Sequence, residues 1–141
     1  MKIKFLIVLI SLLFASSLAF PWKKKEQPSL YLTPSDPRSD YNYEEKVKSH
    51  SVFEVGKRIY FYVYTPEGFS SDYIKYQIVK QDDNAHVGGY TRVRNITRRV
   101  KNKHYYLDYF VLNEKGKYIL QIFNIDNLHQ WITYGEFRVV E

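Results

Sequence analysis

The 141-residue sequence contains no cysteine, so it can build neither a disulfide framework nor a thiolate metal site, and it offers no sulfur for a lipid at the N-terminus of an exported product. Its one methionine is Met1, which leaves no thioether for a copper carrier built on methionine and histidine. Glycine is sparse, at six residues, and no glycine-rich phosphate loop is spelled out. The longest apolar run, Phe5 to Ala15, falls well short of the roughly 20 residues that a membrane-spanning helix needs. Helical spacing is not sustained over any useful length, and there is no internal repeat.

Lys2 and Lys4 precede that apolar run, and the small residues Ser17 and Ala19 follow it. A cationic start, a short greasy core and small residues at a cutting site are the layout of a secretory signal, so residues 1–19 are expected to be removed after Ala19. The 122 residues that remain carry 19 basic and 15 acidic side chains, a mildly basic chain with room for one ordinary domain. A cysteine-free exported domain of this size points to bacterial export, to a periplasm, a cell surface or the medium.

Residues 20–50 hold four of the five prolines and show no sustained period. Proline removes backbone donors and biases its predecessor towards extended geometry, so this stretch is expected to be an extended, partly disordered arm. Its aromatic residues, Trp22, Tyr31, Tyr41 and Tyr43, imply that part of it lies along the domain. From Ser51 onward the pattern becomes short β-type runs: SVFEV, RIYFYVYT, YIKYQIVKQ, the basic YTRVRNITRRVKNK, HYYLDYFVL, KYILQIF and WITYGEFRVV. In the second, Ile59, Phe61 and Val63 alternate with Tyr60, Tyr62 and Tyr64, a period of two. Seven such runs in about ninety residues, parted by turn signals, predict an all-β antiparallel sandwich over residues 51–141.

The stretch NEKGKY carries a more specific signal. Asn113 or Glu114, then Gly116 and Tyr118, resemble the tyrosine corner that opens the strand called F in immunoglobulin-type sandwiches, and GEFRVV resembles their closing G strand. The resemblance spans residues 51–141 and extends to fibronectin-type-III-like domains as a superfamily. It implies that the Tyr118 hydroxyl bonds back to the turn, with Tyr118, Leu120 and Ile122 inward and Ile119, Gln121 and Phe123 outward. Two antibody hallmarks are missing: Leu120 stands where the second cysteine would be, and the run containing Ile74, Tyr76 and Ile78 has no tryptophan.

Catalytic and metal chemistry find little footing. His50, His86, His104 and His129 are widely separated and lie in or beside expected loops. Asp82, Asp83 and Asn84 lack the alternating acids and terminal glutamate of a calcium loop, and turn formation accounts for them. Ser70 and Ser71 follow no nucleophile-elbow pattern. The expectation is a non-enzymatic module that needs no cofactor and no metal.

Two surfaces stand out. Arg92, Arg94, Arg98, Arg99, Lys101 and Lys103 fall in a stretch free of acids, which serves either to protect a sheet edge or to meet an anionic partner such as an acidic polysaccharide, an envelope lipid or a carboxylate-rich protein. Export argues against nucleic acid. Tyr60, Tyr62 and Tyr64, joined by Tyr106 and Phe110 if the fifth run pairs beside them, would coat an outer sheet face, as a contact surface or beneath residues 20–50. The leading expectation is a binding or structural module of the cell envelope recognising a protein or glycan. The alternatives are a protease inhibitor presenting DDNAHVGGY and IDNLHQW, and a small hydrolase that would need His129 in a cleft beside an acid and a serine.

Overall fold

The computed structural model describes residues 25–39, 49–84 and 88–141. The expected signal segment and His86 lie outside the described residues, as does part of the arm. Among the described residues eight strands form: β1 (Ser29–Thr33), β2 (Val52–Glu54), β3 (Arg58–Tyr64), β4 (Tyr73–Gln81), β5 (Tyr90–Arg99), β6 (Tyr105–Val111), β7 (Gly116–Asn124) and β8 (Asn127–Val140), with a short 3-10 turn at Pro37–Ser39. They make two sheets, β1-β3-β6 and β2-β8-β7-β4-β5. All pairings are antiparallel except β2 with β8. Among the described residues no helix is long and apolar enough to cross a membrane.

The eighth strand comes from the arm. Ser29–Thr33 pairs with β3 in the register Leu30↔Val63 and Leu32↔Phe61, so the arm reaches the domain well before Ser51. The sequence SLYLT carries its own period of two: Leu32 is 2% exposed, Leu30 packs against the core, and Tyr31 falls on the other face. Pro28 and Pro34 bracket the strand at the places where a missing donor costs little. Gly135 on β8 admits it, because a Cβ there would lie 3.1 Å from Leu30 Cδ2.

The core lies between the sheets. Ile59, Phe61 and Val63 of β3 are fully buried, as the alternation predicts, and face Ile74, Tyr76 and Ile78 of β4 and Leu120 and Ile122 of β7. Aromatic rings bridge the layers: Phe61 meets Tyr76 edge-on at 5.0 Å, and Phe110 lies 5.8 Å from Phe137. Ile119, Gln121 and Phe123 turn away, as expected of a strand with one face in the core.

Tyr118 closes one end. Its hydroxyl donates to the Glu114 carbonyl at 2.7 Å, and its ring, 2% exposed, stacks on Phe137 at 5.6 Å. That local bond ties the β6–β7 turn to the first inward side chain of β7. Tyr118→Phe keeps the ring and removes the donor, so it should lower the unfolding free energy by about 1 kcal/mol. Urea melts of the two proteins check this, and coincident curves would mean that the corner contributes only through its ring.

Candidate functional site

The basic run becomes β5, one of the two edge strands of the five-stranded sheet, ending at Arg99; Lys101 and Lys103 follow it. Its register with β4 distributes the arginines. Arg94 and Arg98 pair with the inward-facing Ile78 and Ile74, whereas Arg99 pairs with Tyr73 on the outer side. A bulge falls between Ile78 and Val79, opposite Val93, and it moves Arg92 to the side of Val79, away from Arg94. The four guanidinium groups therefore flank the open edge from both faces of the sheet. Arg98 donates from Nε to Asp108 Oδ2 at 3.3 Å; Arg92, Arg94 and Arg99 have no carboxylate partner among the described residues. Of the two lysines, Lys101 reaches Asp72 at 3.5 Å.

Asp108, on β6, gathers a polar cluster that the run HYYLDYFVL did not disclose. Its Oδ2 accepts from the Tyr106 hydroxyl at 2.7 Å, the Tyr76 hydroxyl at 3.4 Å and Arg98, while Oδ1 accepts from the Tyr109 backbone N–H at 2.8 Å. Strands β4 and β5 of one sheet are thereby joined to β6 of the other at the open side of the sandwich. Burial, then the charge of Asp108, push the Tyr76 hydroxyl up to about 12. Burial, followed by the hydrogen bond to Asp108, raises Tyr106 as well, and burial raises Tyr118.

These raised values make stability depend on alkaline pH. An unfolded tyrosine ionises near pH 10, and the folded chain holds these hydroxyls neutral beyond that. The stabilisation is complete below about pH 10 and is lost as pH rises through about 12. Urea midpoints should fall steadily between those limits, and a midpoint flat up to pH 12 would contradict the burial of these hydroxyls.

The tyrosine row is placed differently from expectation. Tyr60, Tyr62 and Tyr64 do lie on the outer face of β3, but Tyr106 and Phe110 face inward: Tyr106 pairs with Val63, Phe110 with Ile59, and Phe110 is 1% exposed. The β6 residues beside the tyrosine row are Tyr105, Leu107 and Tyr109. Tyr105 stacks on Tyr62 at 6.0 Å, Tyr109 lies 5.6 Å from Tyr60, and the Arg58 guanidinium sits 4.8 Å from the Tyr109 ring centroid. The face is not bare. Tyr31 of β1 lies 6.3 Å from Tyr62, which is only 9% exposed. Nearby, Arg38 is held by Asp36 at 2.7 Å, a contact that keeps the Asp36 carboxyl below its usual range. Rings meeting across strands and a strand drawn from the arm explain much of this tyrosine content.

His50, His104 and His129 are exposed, and no group of three metal-ligating side chains occurs among the described residues. His129 stands near the start of β8, where its backbone N–H bonds the Asn127 side chain at 3.2 Å. IDNLHQW forms the β7–β8 turn and the beginning of β8, and residues 85–87 of DDNAHVGGY lie outside the described residues. Trp131 and Tyr134, both within WITYGEF, form an exposed pair with rings 5.1 Å apart, which no sequence signal announces.

No family model matches the chain, and no curated protein matches it. Solved structures similar to it include an immunoglobulin-like protein from Pseudomonas aeruginosa, 10% identical, covering 82% of this chain and 93% of that one, TM-score 0.48. The soluble domain of PmoD from Methylocystis sp. ATCC 49242 (Rockwell) is 10% identical over 80% of this chain and 90% of its own, TM-score 0.49. A superoxide reductase (neelaredoxin) from Ignicoccus hospitalis is 9% identical over 82% and 81%, TM-score 0.42. In immunoglobulin lettering, β1, β3 and β6 take the places of A, B and E, and β8, β7, β4 and β5 those of G, F, C and C′. With that strand order and its tyrosine corner at Tyr118, the chain has an immunoglobulin-like sandwich fold.

Proposed function

We propose that the protein is an exported, non-enzymatic binding module of the cell envelope that engages an anionic partner through the edge of β5. The observation that carries this reading is the state of the arginines. Three of the four on β5 have no carboxylate partner among the described residues, and β5 is a ten-residue strand at the end of its sheet. Guanidinium groups match carboxylate and phosphate geometry in pairs of hydrogen bonds, and unneutralised they are available to a partner. An immunoglobulin-like sandwich is compatible with such a role. The leader-like residues 1–19 and the cysteine-free composition support export to a bacterial periplasm or surface.

The test spares Arg98, whose loss would disturb Asp108 as well as the edge. Arg92→Ser, Arg94→Ser and Arg99→Ser together should leave thermal stability nearly unchanged, since all three project from a strand with little buried surface. Retention of anionic envelope components by the purified protein should fall at least about tenfold, the effect of losing one charge-assisted hydrogen bond. Equal retention by parent and variant would reduce the arginines to edge protection.

A further inference from the structure

We propose that the occupant of the β5 edge is an extended, carboxylate-rich peptide that adds to the five-stranded sheet as a sixth strand. This rests on the reading of that edge as the working surface and names the kind of partner it takes.

The first argument is main-chain. Among the described residues β5 runs for ten residues, pairs only with β4 and ends its sheet. On an antiparallel pair every second residue aims its backbone N–H and C=O away from the neighbouring strand, so β5 presents a repeating row of donors and acceptors. A strand laid along that row binds by backbone hydrogen bonds whatever its sequence, and side chains decide which strand is accepted.

The second argument is charge. No acidic residue occurs from Tyr90 to Lys103. A second copy of β5 placed alongside would set arginines against arginines, and like charges opposite one another oppose pairing. The same residues reverse the sign for an acidic strand. An added strand lies about 4.8 Å from β5, with opposed Cβ atoms about 5 Å apart, well within guanidinium reach of a carboxylate. Arg92 and Arg99 serve the outer face of such a strand, and Arg94 the inner one. Side chains alternate faces along the partner too, so carboxylates on either face find a cation. The half-exposed Tyr90 and Val93, each 45% exposed, offer apolar contact at the same end as Arg92 and Arg94. Repulsion of self and attraction of an acidic strand are thus two consequences of one arrangement.

A sulfated or carboxylated glycan would satisfy the guanidinium groups but not the strand-spaced backbone row, which separates the two sources by experiment. The purified protein is titrated at low salt with a ten-residue peptide of alternating glutamate and threonine, followed by fluorescence anisotropy and by hydrogen exchange of the β5 amides. Parallel titrations use the same peptide N-methylated at four consecutive central residues, heparin, and the Arg92→Ser, Arg94→Ser, Arg99→Ser variant. The expected result is saturable peptide binding with slowed exchange at outward-facing amides between Tyr90 and Arg99. N-methylation and the triple variant should each weaken it at least about tenfold. Equal binding of the methylated peptide, or unchanged exchange in β5, would overturn strand addition while leaving the arginine edge as the binding surface. Heparin binding tighter than the peptide, and lost in the variant, would assign the edge to a glycan and overturn this inference alone. If neither polyanion binds, the inference and the reading beneath it both fall.

Discussion

Phe61→Ala should cost the fold about 3–5 kcal/mol, a large share of the roughly 5–15 kcal/mol that holds a domain of this kind together. Phe61 is fully buried at the centre of β3, with Tyr76 at 5.0 Å across the sandwich and Phe110 and Tyr106 at 5.9 and 6.0 Å beside it. Removing its ring leaves a void that none of these neighbours can fill without leaving its own strand position, so the loss of transfer energy is compounded by lost dispersion contacts. The thermal midpoint should fall by more than about 10 °C, and Phe61→Leu, which keeps most of the volume, should recover much of it. A Phe61→Ala protein melting within about 1 kcal/mol of the parent would mean that the sheets do not meet around this ring.

Asp108→Ala should be the most damaging polar substitution, at about 2–4 kcal/mol, because one carboxylate serves two tyrosine hydroxyls, a guanidinium and a backbone N–H. With the carboxylate gone, the Tyr106 and Tyr76 hydroxyls lose their acceptor, and Arg98 stands beside them without its counter-ion. Asp108→Asn keeps an acceptor for the Tyr109 N–H but no charge, so it should fall between the parent and the alanine variant. It also gives a second readout: Asp108 helps burial to raise Tyr76 and Tyr106, so both should titrate at lower pH in Asp108→Asn. Unchanged tyrosine titration would separate these hydroxyls from the aspartate. A double-mutant cycle with Tyr106→Phe should show coupling, whereas additive losses would argue that the two side chains act independently.

The contrast between Tyr118 and Tyr106 shows what was legible beforehand. Tyr118 was readable because its whole motif is local: the glycine, the ring and the carbonyl that it bonds lie within five residues. The sequence points Tyr106 and Phe110 to the wrong face because β6 offers no clean alternation. Tyr105, Leu107, Tyr109 and Val111 form one row and Tyr106, Asp108 and Phe110 the other, and the row containing the charge is the inward one. Periodicity normally places a lone aspartate outside. Here it is tolerated inside because Tyr76, Tyr106 and Arg98, from three different strands, replace the water it gives up. β1 is hidden in the sequence for a related reason. Four prolines in the surrounding arm outweighed a five-residue alternation that is marginal by itself and becomes a strand only by pairing with β3.

The sequence by itself determined the class of the fold, the alternation of β3 and β7 and the tyrosine corner, because these depend on side-chain period and on contacts within a few residues. Tertiary structure alone decided that β1 joins the sheet, that Asp108 lies between the layers, and that the arginines of β5 divide between two faces. Each of those depends on the register between strands far apart in the chain, and register is set by the sum of packing across both sheets, which no local run of residues contains.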